Sequence, residues 1–252
     1  MNRAKQAQAH DRNFVAAISL LAETIPAGST ARHGSIPIAI TGLPGAFFNA
    51  LWILEPPEPA DLQAALQTMR DSGLPFTMHV RSDLADLISE AASHNLTEEG
   101  RLPCFAMRPG PVPAPLPDLV IERVDSHNWT DFLAASTRGT GTPREMVEAL
   151  LVPGLLDDER SRLFVGITEG RAVATAASVR TDATIGVYSV ATAPEVRGRG
   201  IGTAMTWHLL ADADPGWDVA VLQASAMGRP IYERMGFSLV REFAGLVGGP
   251  AA

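Results

Sequence analysis

Residues 188–203 read YSVATAPEVRGRGIGT, and this stretch decides how the rest of the chain is understood. A β-branched and aromatic run, Thr184 to Val190, stops at Pro194. Arg197, Gly198, Arg199, Gly200, Ile201 and Gly202 follow, and an apolar helical pattern starts at once. Strand, glycine-rich turn and helix N-terminus in that order predict a diphosphate cradle. The first turn of a helix carries backbone N–H groups without internal partners, and the helix dipole makes that end positive. Glycine lets the backbone approach an anion with no Cβ in the way. Arg197 and Arg199 add guanidinium groups suited to phosphate oxygens. The dinucleotide pattern Gly-x-Gly-x-x-Gly fails, because Thr203 stands at its last position. The Walker pattern fails for want of Gly-Lys-Ser/Thr.

What does fit is Arg-x-x-Gly-x-Gly, filled by Arg197, Gly200 and Gly202. This resembles the pyrophosphate loop of the Gcn5-related N-acetyltransferases (GNATs). Residues 219–237, VAVLQASAMGRPIYERMGF, resemble the second signature of that family: an apolar strand, a small-residue loop and a short helix with Tyr232, leaving through Met-Gly-Phe. One helix, Ile201 to Ala213, and a stop at Asp214-Pro215-Gly216 separate the two motifs. The resemblance covers about residues 117–247.

Length and composition place the chain among ordinary globular proteins. Its 252 residues suffice for one large or two modest domains. Apolar residues make up 46% and charged residues 19%, which excludes a disordered chain. A formal net charge of −8 argues against a nucleic-acid partner. The single cysteine, Cys104, cannot form an internal disulfide, and the scattered histidines match no zinc pattern, so no metal is expected. Two apolar segments invite a membrane reading. Phe14 to Ala22 reads instead as part of an amphipathic helix over 11–24. The uncharged run 34–54 is broken by Gly-Leu-Pro-Gly at 42–45 and reads as two buried strands around a turn. A cytoplasmic protein without membrane contact is the expectation.

In chain order, residues 1–10 are polar and read as frayed. Strands are predicted at 36–41, 46–54, 76–80 and 102–107, and helices at 59–71 and from Ser82 or Asp83 to about 91. The intervening 26–30 reads as a loop. Prolines at 109, 111, 113, 115 and 117 favour an extended spacer. The expected division is therefore an α/β domain over 1–108, a linker over 109–117 and a second domain over 118–252. In the second, strands are predicted at 119–124, 163–168, 171–180 and 184–190, with helices at 128–135 and 143–151. Glu169-Gly170 reads as a hairpin turn, and 237–247 as the last strands. The first half repeats the strand–helix–strand–helix–strand order but has Glu55-Pro-Pro-Glu-Pro where the second has its glycines. It reads as a smaller, degenerate GNAT-like domain, or alternatively as an unrelated α/β cap.

The resemblance implies a mixed, mostly antiparallel sheet flanked by helices, and an acetyl-CoA-dependent N-acetyltransferase. Acetyl-coenzyme A would lie between the strands ending at Val190 and Ala224, its arm pairing with backbone around Val190, Ala191 and Thr192. The Val190 amide would hold the oxyanion. The diphosphate would sit on Gly198, Arg199, Gly200, Ile201, Gly202 and Thr203, flanked by Arg197. Ser225 and Gly228 would touch the coenzyme, and Tyr232 would protonate the leaving thiolate. The acceptor would be a small-molecule or peptide amine, and the resemblance also allows a homodimer. Glu145, Glu148, Asp157, Asp158 and Glu195 are open candidates for a base, each also readable as a surface charge. Asn49 and Trp52 either line a cleft or pack the first domain. The rival reading is a non-catalytic acyl-CoA-binding sensor. A serine hydrolase is excluded, since Ser225 lacks the Gly-x-Ser-x-Gly setting.

Overall fold

The computed structural model describes residues 1–213 and 216–250. In chain order the elements are α1 (Arg3–Thr24), β1 (Ser29–His33), β2 (Ile36–Ile40), β3 (Asn49–Ile53), α2 (Pro59–Asp71), β4 (Phe76–Arg81), α3 (Ala85–Ser89) and β5 (Thr97–Met107). Then come β6 (Val120–Arg123), α4 (Trp129–Thr140), α5 (Arg144–Leu150), α6 (Pro153–Leu156), β7 (Ser161–Thr168), β8 (Arg171–Thr181), β9 (Thr184–Thr192), α7 (Ile201–Asp212), β10 (Val219–Gln223), α8 (Arg229–Met235) and β11 (Ser238–Gly248).

These elements form two compact units. One contains residues 14–104 and 239–252, the other residues 1–13 and 105–238. This differs from the expected division at the proline-rich stretch. The first thirteen residues count with the later unit, and the last fourteen with the earlier one. The proline-rich segment itself belongs to the later unit, where Leu116 Cδ1 stands 4.0 Å from the Cβ position of Gly200. The stop signal at Asp214 and Pro215 falls outside the described residues.

In the earlier unit β1, β2 and β3 are antiparallel, β4 joins β3 in parallel, and β11 joins β4 antiparallel. The uncharged run folds as expected: β2 and β3 are a buried pair, with Ile38 opposite Leu51. β1 begins inside the stretch 26–30 expected as a loop. It is an exposed edge strand held by pairing with β2, from Ser29 opposite Ile40 to His33 opposite Ile36. α2 has the expected bounds and buries Leu62, Ala65, Leu66 and Met69, one face at helical spacing. These meet Ile38, Leu51, Phe76, Met78 and Leu246 in one apolar cluster. α3 is shorter than expected and has no side-chain cap. The predicted cap Asp83 is bound instead to Arg81, and Ser82 donates its N–H to Glu242 O at 3.0 Å.

In the later unit β6, β7, β8 and β9 are antiparallel and β10 pairs β9 in parallel. Glu169 and Gly170 both take positive φ, 50° and 71°, the signature of the predicted tight turn. α4 buries Phe132, Leu133 and Ala135 against Leu163 and Val165. α1 begins at Arg3, not at Asp11, and Ala7, Ala9 and His10 of the supposedly frayed end are buried. Among the described residues, each unit thus has a mixed, mostly antiparallel sheet with a parallel pair at the point where a helix crosses over.

Candidate active site

The site begins where two strands part. β9 and β10 pair from Thr184–Val187 against Val219–Leu222, and the pairing stops there. β9 runs on to Thr192. Its ladder with β8 matches Ala177 to Tyr188 but Thr175 to Ala191, so β9 holds one extra residue, a bulge. Ser189 sits in it at φ 49°, and its carbonyl accepts the Thr175 hydroxyl at 2.8 Å. Ala193 N–H donates to Val173 O at 2.8 Å, toward β8. Strand alternation therefore turns the amides of Val190 and Thr192 the other way, into the gap that β10 leaves.

Close helices shape the gap. The Cβ position of Gly202 at the head of α7 lies 3.3 Å from Thr192 Oγ1 and 3.9 Å from Val190 Cγ1. The Cβ position of Gly139 near the end of α4 lies 2.8 Å from Ala191 Cβ and 3.1 Å from Thr192 N. A real Cβ at 139 would push α4 off the strand. Gly139 carried no motif in the sequence; only the fold reveals its place.

The strand, glycine turn and helix start of the predicted cradle follow one another in the expected order. Gly198 and Gly200 both take φ 78°, a region that L side chains rarely enter. The N–H of Ala204 donates to Gly200 O at 2.9 Å, and no side chain caps the helix. The amides of Ile201, Gly202 and Thr203 therefore face outward as helix-end donors. Arg199 is exposed beside them. Arg197 departs from expectation: its Nε donates to Thr192 O at 3.1 Å and its Nη2 to Gly139 O at 2.8 Å. Its guanidinium fork ties the end of β9 to the end of α4, so its role here is to hold shape as well as to supply charge.

Beyond β10, Ser225 Oγ accepts the N–H of Gly228 at 3.1 Å, fixing the loop that leads into α8. A Cβ at Gly228 would stand 3.0 Å from the Tyr232 ring. Tyr232 packs edge-on to Phe237, with ring centroids 5.7 Å apart. Burial pushes its hydroxyl up to about pH 12, against a hydrogen bond with Thr206 that works in the other direction. Thr206, fully buried on α7, gives its own proton to Gly202 O at 2.9 Å. The phenol and the cradle helix are thus joined through one threonine. No sequence signal marked Thr206.

The other candidates are exposed, paired with arginines or part of the earlier unit's core. Glu148 pairs with Arg144 at 3.8 Å, Asp158 with Arg160 at 2.8 Å and Glu195 with Arg138 at 3.6 Å, while Glu145 and Asp157 are exposed. Trp52 is fully buried in the earlier unit's core. Asn49, also buried, binds Thr41 N, Leu43 O and Pro75 O as a packing node. A cavity of about 460 Å³ in the later unit, lined by Gln6, Met107, Arg108, Trp207 and Met235 among others, shares no residue with the cradle. Among the described residues no helix is long and apolar enough to cross a membrane.

A family model described as "Acetyltransferase (GNAT) domain" matches residues 159–239, which span β7 to the start of β11 and contain every residue of the cradle and of the Tyr232 helix. No curated protein matches the sequence. Solved structures match over most of the chain. A GCN5-related N-acetyltransferase from Kribbella flavida is 20% identical, with 94% of this chain and 96% of that one covered and a TM-score of 0.69. A tandem GNAT protein from the clavulanic acid biosynthesis pathway is 12% identical, covering 96% and 97% at a TM-score of 0.63. A third, from Sphaerobacter thermophilus, is 14% identical over 85% and 76% at 0.62. Residues 159–239 thus match the acetyltransferase (GNAT) family model, and the chain shares its fold with these solved structures.

Proposed function

We propose that the protein transfers an acetyl group from acetyl-coenzyme A to a primary amine, on a small molecule or a peptide, in a single ternary complex. The observation that carries this reading is the pairing of two donor rows in one unit. Helix-end amides at 201–203 suit a diphosphate, and strand amides at Val190 and Thr192 suit an extended amide-bearing arm. Glycine at 202 and 139 lets α7 and α4 pack close against β9, which brings the two donor rows together.

The residues divide the chemistry among themselves. The Val190 N–H points to where a thioester carbonyl would lie and stabilises the negative charge formed on attack. Holding donor and amine together supplies much of the rate. Tyr232, neutral up to about pH 12, is a proton donor throughout the working range and gives its proton to the departing thiolate. The amine loses its proton to water, because the five candidate carboxylates are exposed or paired to arginines.

The test follows thiol release from acetyl-coenzyme A with a chromogenic disulfide across a panel of amines, beside thermal protection by coenzyme A. Cys104 is buried, so background is low. Protection together with amine-dependent release supports the enzyme. Protection without release, unchanged by Tyr232→Phe, would replace it with the sensor reading, and absence of protection would remove both.

A further inference from the structure

The first residues past the paired stretch of β9 and β10 are Tyr188 and Gln223, one on each strand. Both are held by the first half of α1. Tyr188 donates its hydroxyl to Asn13 Oδ1 at 2.7 Å. Asn13 Nδ2 donates to Val179 O and to Thr181 Oγ1, each at 2.9 Å, on the neighbouring strand. Gln223 Nε2 meets His10 Nε2 at 2.7 Å. His10 and Asn13 lie three apart on one helix face and are both fully buried. The sheet makes room for them: a Cβ at Gly186 would stand 1.9 Å from Asn13 Oδ1.

Parallel strands that end with unmatched amides and carbonyls are stabilised by each further ladder bond they close. An open gap between them therefore needs something that holds them apart. We propose that Asn13 and His10 are positioning residues of the acyl-donor cleft: by gripping Tyr188 and Gln223 they stop β9 and β10 from pairing further and keep the cleft ready for the coenzyme. This rests on the acetyl-CoA reading above. It gives a function to a segment whose sequence promised none, and it places the start of the chain in the active machinery of the later unit. A cleft that spends less of its time open binds more weakly in proportion to the fraction open.

The experiment compares Asn13→Ala, Tyr188→Phe, their double variant and Gln223→Met with the parent protein. Two quantities are read: the Kd of coenzyme A by calorimetry, and ligand-free amide hydrogen exchange at 188–192. Each single variant should raise Kd about tenfold, the double should be no worse than the weaker single, and exchange at 188–192 should slow as the strands close. A merely structural role would lower the melting temperature and leave both readouts unchanged. Folded variants with parental Kd and exchange overturn the proposal, as does a double variant whose effect is the product of the singles. Should Asn13→Ala fail to fold, Tyr188→Phe and Gln223→Met carry the test alone. Should coenzyme A bind not even the parent protein, the acetyl-CoA reading falls, and the exchange measurement by itself decides whether α1 holds the strands apart.

Discussion

The two units solve the same topological problem and leave opposite results. In each, antiparallel strands lead to a strand, a loop, a crossing helix and a parallel partner: β9, 193–200, α7 and β10 in one, β3, 54–58, α2 and β4 in the other. In the later unit the strands part after Val187 and Leu222. In the earlier unit they pair to the last residue of β3, Ile53 opposite Val80. One helix starts from glycines at φ 78° with bare amides. The other starts from Glu58 with Pro59 at its first position, an acidic residue and a ring nitrogen with no proton to donate. Where the later unit keeps a gap, the earlier one stacks Trp52 on His79, ring centroids 5.9 Å apart, with Phe14 edge-on to Trp52 at 5.6 Å. The lesson is that the crossover alone confers no site. A bulge, a glycine pair and a device that holds strands open do.

The strongest way to break this comparison is at the cradle. Gly202→Asp puts a carboxylate where a diphosphate would sit, and like charges at that range cost several kcal/mol. The Kd of coenzyme A should rise about a thousandfold or more. The free protein should melt no lower, because an acid in the first turn favours the helix dipole. Calorimetry and a melting curve check both halves. Parental affinity would mean that the coenzyme site lies elsewhere.

Next in size is the phenol. Tyr232→Phe should lower kcat about a hundredfold and leave KM nearly unchanged, since the proton is transferred only as the thiolate departs. Because the hydroxyl stays protonated to about pH 12, its ionisation should contribute no alkaline fall in kcat below about pH 11. A steady-state pH series of parent and variant reads both.

A smaller effect belongs to the closed unit. His79 is fully enclosed by Phe14, Trp52, Phe47 and Phe243, and burial lowers its pKa from 6.5 to about 3. The unfolded chain takes up a proton below about pH 6.5 and the folded one only near pH 3. The stability tied to this histidine is therefore complete above pH 6.5 and lost as pH falls, by about 2 kcal/mol at pH 5. His79→Phe keeps the aromatic packing and removes the proton site, so its melting temperature should fall less between pH 7 and pH 5 than the parent's. An identical acid dependence would show that the ring is not the sensitive group.

Legibility in the sequence followed the range of the interactions. The cradle, the Tyr232 helix, α2 and the β2–β3 pair rest on neighbours in sequence, and each announced itself through glycine, proline or helical spacing. β1 did not, because Ser29–His33 has no apolar alternation and owes its strand to β2 alone. The buried end of α1 did not either: His10 meets Gln223 and Asn13 meets Val179, partners that no local pattern encodes. The bulge at Ser189 has no residue signature, and β11 revealed only that it is a strand, not that it would pair with β4. Arg197 is marked by the glycine-rich motif, but its bonds to Thr192 and Gly139 depend on how α4 lies on β9.

The smallest expected effect is the one that sharpens the comparison most. Replacing Glu55–Pro59 by a glycine-rich loop with arginines would give α2 a bare N-terminus like that of α7. If amides and charge at a helix end were enough, the earlier unit would then bind coenzyme A. The structure argues for no measurable gain. β3 has no residue beyond its last pair with β4, no bulge turns amides outward, and the space beside them is filled by Trp52 and His79. The graft itself should destabilise that unit by about 1 kcal/mol for each proline lost, through the freer unfolded chain. Binding stoichiometry is the decisive readout. One coenzyme per chain before and after the graft keeps the open strands as the necessary condition, whereas a second site would reduce the difference between the units to their loops.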